Sequence, residues 1–368
     1  MVILTLNCGS TSVKSAWYSP RATVQERKGA KSFSATTVPR EALRELTGLL
    51  GGPPAAVAHR IVHGGNRFVR HAIIAPEVIA ALYELGELAP LHNPPALRWV
   101  RAAQEHWPDI PHIAVFDTVF FAAMPRVARE YALPAAMGVD LGVRRYGFHG
   151  LAHESMWHSW CARHPELPKG GRLITLQLGG GCSITASRGG EPLDTSMGFS
   201  PLEGLVMETR CGDIDASVVE YLQGRLGLPA TEVIARLNRE SGLVGLAGSG
   251  KWAELLAEES VQARFAFELY CYRIRKYVGS YLAVLQGCDG IVFGGGVGEH
   301  IPEVRAQALQ GFEWAGLSLD SARNGAARGG AAQIAAPTST IGIEVATVDE
   351  EQLMVKACIG LIGSSLVS

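Results

Sequence analysis

Two arginines set among small residues are the first sign of chemistry in this chain. In His59-Arg60-Ile61-Val62-His63-Gly64-Gly65, Arg60 lies near the end of an apolar run with glycines just beyond it. A guanidinium there suits bidentate binding of a carboxylate or a phosphate. The run Asp194-Thr195-Ser196-Met197-Gly198-Phe199-Ser200-Pro201, continued to Thr209-Arg210-Cys211-Gly212-Asp213, offers a second arginine in similar company. Asp117 directly follows Ile113-Ala114-Val115-Phe116, the carboxyl end of an expected strand, where open α/β sheets present catalytic groups. Taken singly, each has a structural alternative, an ion pair for either arginine and a turn or helix cap for Asp117.

Glycine-rich turns supply the second class of signal. Leu4–Lys14 and Leu176–Thr185 share one design, an apolar strand, a turn of small residues and a second strand. Such a hairpin exposes backbone N–H groups to an approaching phosphate with no bulky side chain in the way. In the first, Asn7 precedes the turn, and period-two spacing puts Ser10, Ser12 and Lys14 on one face. In the second, Gln177 leads into Gly179, Gly180 and Gly181. A third run, Gly294-Gly295-Gly296-Val297-Gly298-Glu299-His300, follows the strand Ile291-Val292-Phe293 and is expected to form a turn ahead of a helix opened by Pro302, a seat for a nucleotide. It does not fit the dinucleotide fingerprint, since Glu299 falls where the third glycine belongs. Gly245-Leu246-Ala247-Gly248-Ser249-Gly250-Lys251-Trp252 imitates a P-loop but ends on Trp252 instead of Ser or Thr and lacks a preceding strand.

The elements that must position these residues alternate in kind. Val2–Leu6, Ala56–Val62, His112–Phe116, Leu173–Leu178, Ile184–Ser187 and Gly290–Phe293 read as strands. Glu41–Leu50, Ala96–His106, Ala216–Leu226, Val261–Gln286 and Pro302–Gly311 carry apolar residues at helical spacing. The chain is therefore α/β. Its 368 residues exceed one ordinary core, and the two similar hairpins suggest two related domains facing one cleft. The expected division is 1–148, completed by a C-terminal helix over 350–368, and 149–349.

Composition narrows the class. A net charge of -2, from 33 basic and 35 acidic residues, gives no reason to expect nucleic acid or an anionic membrane as partner. The start lacks a basic, apolar leader, and no segment has the length of apolar sequence a membrane span needs, so a cytoplasmic protein is expected. The 7 cysteines are scattered without a C-x-x-C pair, which favours reduced thiols; Cys8, Cys182 and Cys211 read as small residues in tight turns.

Six stretches, in order and over nearly the whole chain, resemble the acetate kinase family: Asn7–Lys14, His59–Gly65, Ala89–Pro95, Phe116–Thr118 with Met124-Pro125, Arg144–Gly150, and Asp194–Asp215. The resemblance implies two ribonuclease-H-like domains of the actin-like ATPase type, with a nucleotide and substrate cleft between them, usually in a homodimer. It implies reversible transfer of a phosphoryl group from ATP to acetate, or to propionate, giving an acyl phosphate and ADP, with Mg2+ (or Mn2+) as the metal. Arg60 and Arg210 would hold the carboxylate and the migrating phosphoryl group, and His149 would donate a hydrogen bond to that group. Asn7, Asp117 and a C-terminal glutamate, Glu351 rather than Glu350, would position the metal. Val62, Leu91, Phe148 and Pro201 would enclose the acid's methyl group. The two later glycine runs, Gly179–Gly181 and Gly294–Gly298, would face the nucleotide.

The sequence also departs from the family pattern. Gln177 and Gly180 replace a histidine and an asparagine, Glu208 stands where a glycine is usual, and the loop after Ser241-Gly242-Leu243 lacks the family's Asp-x-Arg pair. These departures fall on the nucleotide side. They leave open a longer acid such as butyrate, a donor such as pyrophosphate, or a catalytically weak binding protein of the same fold.

Overall fold

The computed structural model describes residues 2–9, 12–20, 25–87, 93–258 and 260–363. Ser10 and Leu91, two of the expected site residues, lie outside them. The chain divides into two compact units, Met1–Ala122 with Asp349–Ser368, and Ala123–Val348.

The first unit carries β1 (Ile3–Cys8), β2 (Ser12–Pro20), β3 (Gln25–Ser34), β4 (Ala56–Ile61), β5 (Ala72–Ile73) and β6 (His112–Phe116), joined in the order β3-β2-β1-β4-β6-β5. The strands β1, β4 and β6 run parallel, while β2 and β3 pair antiparallel outward from β1 and β5 pairs antiparallel with β6. Every residue of β1 is buried, as expected of a strand covered on both faces. Helices α1 (Pro39–Leu50), α2 (Pro76–Glu84) and α3 (Asn93–His106) supply the cover. Leu43 and Leu46 of α1 and Leu97 and Val100 of α3 share one core with Leu4, Leu6, Val57 and Phe116. A further helix, Glu350–Ile362, packs on β1 and β4, so the end of the chain belongs to this unit.

The second unit repeats the plan. Its strands β7 (Arg172–Leu178), β8 (Cys182–Arg188), β9 (Glu191–Thr195), β10 (Gly290–Gly294), β11 (Ala332–Gln333) and β12 (Gly342–Val345) join in the order β9-β8-β7-β10-β12-β11. Adding six to each strand label of the first sheet reproduces the second, and the parallel or antiparallel sense of each pairing is kept. The resemblance between two hairpins therefore reflects duplication of a whole sheet. Around it lie α4 (Arg126–Arg129), α5 (Gly150–Arg163), α6 (Ser217–Leu226), α7 (Ala230–Arg239), α8 (Gly242–Ala247), α9 (Trp252–Ala257), α10 (Val261–Leu285), α11 (Gly295–His300), α12 (Pro302–Leu309) and α13 (Ser321–Ala326).

Two boundaries differ from expectation. Residues 123–148, assigned from sequence to the first half, group with the second unit. Their backbone explains it: Glu130 bridges Arg144, Arg145 donates to the carbonyls of Thr195 and Ser196 at 3.1 and 3.0 Å, and the N–H of Tyr146 donates to Gly198 at 3.0 Å. The third glycine run is not a turn before the Pro302 helix. Gly294 ends β10 and Gly295, at φ +76°, starts α11 within the run itself. Arg305, fully buried on α12, secures this arrangement by donating to the carbonyls of Gly298, Glu299, Asn324 and Ala327. Among the described residues no helix is long and apolar enough to cross a membrane.

Burial also fixes protonation. His59 and His112, stacked 5.4 Å apart between β4 and β6, both have pKa values pulled down by burial, and for His59 the neighbouring His112 adds to the effect. His153 in the second unit is pushed down to about 3 by burial. Below an unfolded histidine pKa of about 6.5 the unfolded chain takes up protons that these folded sites refuse, so stability is full above that pH and falls as the pH drops toward the folded values. His153 alone costs about 1 kcal/mol by pH 5.5. The urea midpoint should therefore be clearly lower at pH 5.5 than at pH 7.5; equal midpoints would contradict neutral burial of these rings.

Candidate active site

The first unit gathers its polar residues at the carboxyl ends of β1, β4 and β6. Arg60, on β4, donates from Nε and Nη2 to the two oxygens of Asp117 at 3.0 and 2.6 Å, a bidentate pair whose aspartate side chain is wholly buried. Its Nη1 donates to Asn7 Oδ1 at 3.0 Å and lies 3.5 Å from Glu350. Burial pulls the Arg60 pKa down, and the charges of Asp117 and Glu350 more than offset this. Asn7, buried at the end of β1, donates to Glu350 at 2.8 Å and to Glu351 at 3.4 Å. Asp349 caps the C-terminal helix by accepting from the N–H of Gln352 at 2.9 Å, which presents both glutamates from the first turn. Glu350 is thus the nearer to Asn7 and Arg60, while Glu351, the glutamate expected to position the metal, lies beside Asn7 at 3.4 Å. Val62, also buried, follows directly on β4, and the next turn is locked by Asn93, which exchanges two hydrogen bonds with the backbone of His63. Ser12 is partly buried and Lys14 exposed, on the opposite face of β2 from buried Val13, as alternation requires.

The second unit builds its group around the turn between β7 and β8, where the N–H of Gly179 donates to Gly181 at 3.1 Å. A Cβ on Gly181 would stand 3.3 Å from His149 Cε1, 3.4 Å from its Nε2 and 3.6 Å from Arg210 Nη1, so the missing side chain brings backbone, imidazole and guanidinium together. His149 precedes α5 in the left-handed conformation, φ 59°, uncommon for a side-chain-bearing residue. A chain of polar atoms orients its ring: His149 Nδ1 lies 2.9 Å from Ser183 Oγ, which lies 2.8 Å from His153 Nε2, whose Nδ1 lies 2.7 Å from Thr175 Oγ1. Arg210 donates to the carbonyl of Pro201 at 3.0 Å, and no carboxylate among the described residues comes within ion-pair distance of it. Burial pulls its pKa below the usual arginine value. A guanidinium stays protonated in proteins, so this is a half-buried cation to which the described residues offer no carboxylate.

Arg210 is held there by glycine chemistry farther along. Gly242, at φ +60°, passes so close to segment 207–210 that a Cβ would lie 2.2 Å from the Met207 carbonyl oxygen. The N–H groups of Ser241, Leu243 and Val244 donate to the carbonyls of Thr209, Met207 and Glu208 at 3.0, 3.0 and 2.9 Å. Beside this turn is a recess of about 280 Å³ lined by Cys211, Ser241, Gly242 and Gly245 among others. On the far side of β7, Gly294 pairs with Gln177, and a Cβ on Gly295 would stand 2.8 Å from Gln177 Nε2. Gly296 faces open space, and Gly298 backs onto Phe293. Phe148 is buried one residue before His149.

Sequence reasoning missed Ser183, His153 and Thr175, although the spacing of His149 and His153, four residues apart across a helix start, signals rings on one face. The thiols behave as small fillers. Burial pushes Cys8 up to about 12 and raises Cys182 and Cys211, so none is a ready thiolate. The P-loop imitation runs from the second half of α8 to the first residue of α9, with no strand directly before it.

The model of the Acetokinase family matches residues 52–356. The chain belongs to the acetokinase family. An acetate kinase of Micrococcus luteus is 43% identical over 322 residues, covering 85% of this chain and 83% of that protein. Among solved structures, the acetate kinase of Porphyromonas gingivalis has a TM-score of 0.85 at 34% identity, over 98% of this chain and 100% of that one. A propionate kinase from Francisella tularensis reaches 0.88 at 31% identity, over 97% and 98% of the two chains. The fold is thus that of this family, two actin-like α/β domains, and the chain is a kinase.

The ion pair at the first group of residues makes a direct prediction. Asp117→Ala leaves the largely buried Arg60 guanidinium with Asn7 and Glu350 as its remaining partners and should cost about 3 kcal/mol in urea unfolding. A loss under about 0.5 kcal/mol, the level of an exposed pair, would contradict a buried bidentate bond.

Proposed function

We propose that the protein catalyses reversible phosphoryl transfer between ATP and acetate, giving acetyl phosphate and ADP. The observation that carries this reading is Arg210, a half-buried cation without a carboxylate partner among the described residues, set beside the His149 ring and the Gly181 backbone. Membership of the acetokinase family supports the acceptor and the donor.

In the forward direction an acetate oxygen attacks the γ-phosphorus of ATP, a P–O bond forms, and the bond to the β-phosphate oxygen breaks as ADP leaves. No base is required, because a carboxylic acid is already ionised near neutral pH. The protein's task is to position the reactants and to neutralise charge as it shifts from attacking to leaving oxygen. Arg210 and His149 are the donors suited to the equatorial oxygens of the moving phosphoryl group. The Ser183–His153–Thr175 chain holds the His149 ring in register, and His153, kept neutral, adds no competing charge. Arg60, fixed by Asp117 and Asn7, is a preorganised donor for the substrate carboxylate. Val62, buried in the first unit two residues beyond Arg60, is the apolar candidate there for the methyl group. Backbone amides of Gly179–Gly181 and the run Gly294–Gly298 suit the nucleotide.

Mg2+ fits the same residues. Asp117, Glu350 and Glu351 surround one arginine and Asn7, an excess of oxygen donors and of negative charge appropriate to a hard dication. No group of three His, Cys, Asp or Glu among the described residues forms a cage of its own. Mg2+ keeps several waters and takes other ligands from phosphate. Bound there, the metal would neutralise charge on the donor phosphates.

Purified protein with ATP, acetate and Mg2+ should form an acyl phosphate that hydroxylamine traps as the hydroxamate. Failure across a panel of donors and acids would end this reading. Arg210→Ala should lower kcat/KM by about 10³-fold while the fold is retained; an unchanged rate would assign the activity to a contaminant. The likeness to a propionate kinase gives propionate as the second acceptor, and each added methylene should change the discrimination by about 1–3 kcal/mol.

A further inference from the structure

The three-residue turn between β7 and β8 is electrostatically lopsided. At Gly181 stand His149 and Arg210. At Gly180, one residue away, stands a carboxylate: a Cβ on Gly180 would lie 2.8 Å from Glu208 Oε2. The other flank of the same side chain is also pressed against a glycine, since a Cβ on Gly250 would lie 2.3 Å from Glu208 Cγ and 2.9 Å from Oε1. Glu208 is thus lodged between two residues that have no side chain to displace it. Its backbone is fixed as well, the N–H donating to the Gly180 carbonyl at 3.1 Å and the carbonyl accepting from Val244 at 2.9 Å. Although Arg210 is two residues away, Glu208 forms no ion pair with it, and no arginine or lysine among the described residues neutralises Glu208. Next to the turn, Gln177 Oε1 is buried and accepts no hydrogen bond among the described residues.

An anion settling on the amides of this turn is therefore attracted at one end and repelled at the other. A single transferring phosphoryl group beside Gly181 meets the Arg210 guanidinium and the His149 ring. The remaining phosphates of a polyphosphate donor, if they run past Gly180, meet Glu208. We propose that Glu208 is a specificity-determining residue that admits a polyphosphate donor to this turn only with its charge already neutralised by a divalent cation. The inference rests on the nucleotide reading above and adds to it a reason for strict metal dependence of donor binding, located in a residue that need not itself hold the metal. A like charge a few ångströms from a phosphate weakens binding of the bare anion by roughly tenfold or more in a partly exposed site.

The test is equilibrium binding of ATP by calorimetry, with Mg2+ and with EDTA, to the wild type and to Glu208→Gln, Glu208→Ser and Glu208→Asp. Without metal, the Gln and Ser variants should bind ATP at least about tenfold more tightly than the wild type, while with saturating Mg2+ all should agree within about threefold. Glu208→Asp, which keeps the charge, should follow the wild type. Equal metal-free affinities for wild type, Gln and Ser variants would overturn the inference, as would an Asp variant that behaves like Gln, since shape rather than charge would then decide. Either neutral variant suffices if the other fails to fold. The KM for acetate should not move in any of them. Acyl-phosphate formation by the wild type is scored separately, so loss of the proposed reaction and loss of this inference are distinct results.

Discussion

The first unit is organised by one constraint, the placement of a guanidinium inside a protein. Arg60 leaves β4 almost out of contact with water, and an isolated charge there would be intolerable. The structure answers by bringing four separate pieces of chain to it: Asp117 from the end of β6, Asn7 from the end of β1, and Glu350 from a helix more than two hundred residues away, with β4 itself as the base. Three parallel strands must stop at the same level for this to work, and the C-terminal helix must return to their carboxyl ends. The topology and the ion pair are therefore one requirement seen at two scales.

The second unit repeats the topology and reverses the electrostatics. Its strands have the same order and sense, yet the arginine of its site, half-buried, has no carboxylate within ion-pair distance among the described residues. One cation is preorganised by its neighbours, and the other is left to be completed by substrate. Preorganisation of the first kind costs little when the reaction occurs, because the dipoles and charges are already in place. A cation of the second kind gains most from an anion, because no carboxylate among the described residues competes for it. Glycine makes both the approach and the geometry possible. Gly181 lets imidazole and guanidinium reach the backbone, and Gly242 lets the segment carrying Arg210 lie against a turn that any side chain would push away.

Much of this was legible beforehand because it rests on local rules. The apolar runs at 56–61, 112–116, 173–178 and 290–293 read as strands from residue type and length, and glycines after two strands marked the hairpin turns. Other elements were hidden for physical reasons. The segment Gln25–Ser34, rich in lysine and polar residues, is a strand only because β2 offers it an edge to pair with. Helix α5 mixes tryptophan, histidine and serine around its circumference, so its sequence has no clean apolar stripe. The segment 123–148 looks like part of the first half by position and joins the second through backbone hydrogen bonds that no pattern encodes.

What the sequence alone determined is the inventory: an α/β chain of two related halves, the arginines, aspartate, asparagine and histidine that can handle a carboxylate and a phosphoryl group, and the glycine turns that suit phosphate. These follow from residue type and short-range spacing, which are properties of the chain itself. What only the tertiary structure decided is which charges answer which. That Arg60 is paired and Arg210 is not, that Glu350 lies nearer than Glu351 to Asn7, that Ser183 and His153 orient His149, and that Glu208 faces Gly180 instead of Arg210 all depend on contacts between distant segments. Electrostatic energies vary steeply with separation and burial, and neither quantity exists until the chain has folded.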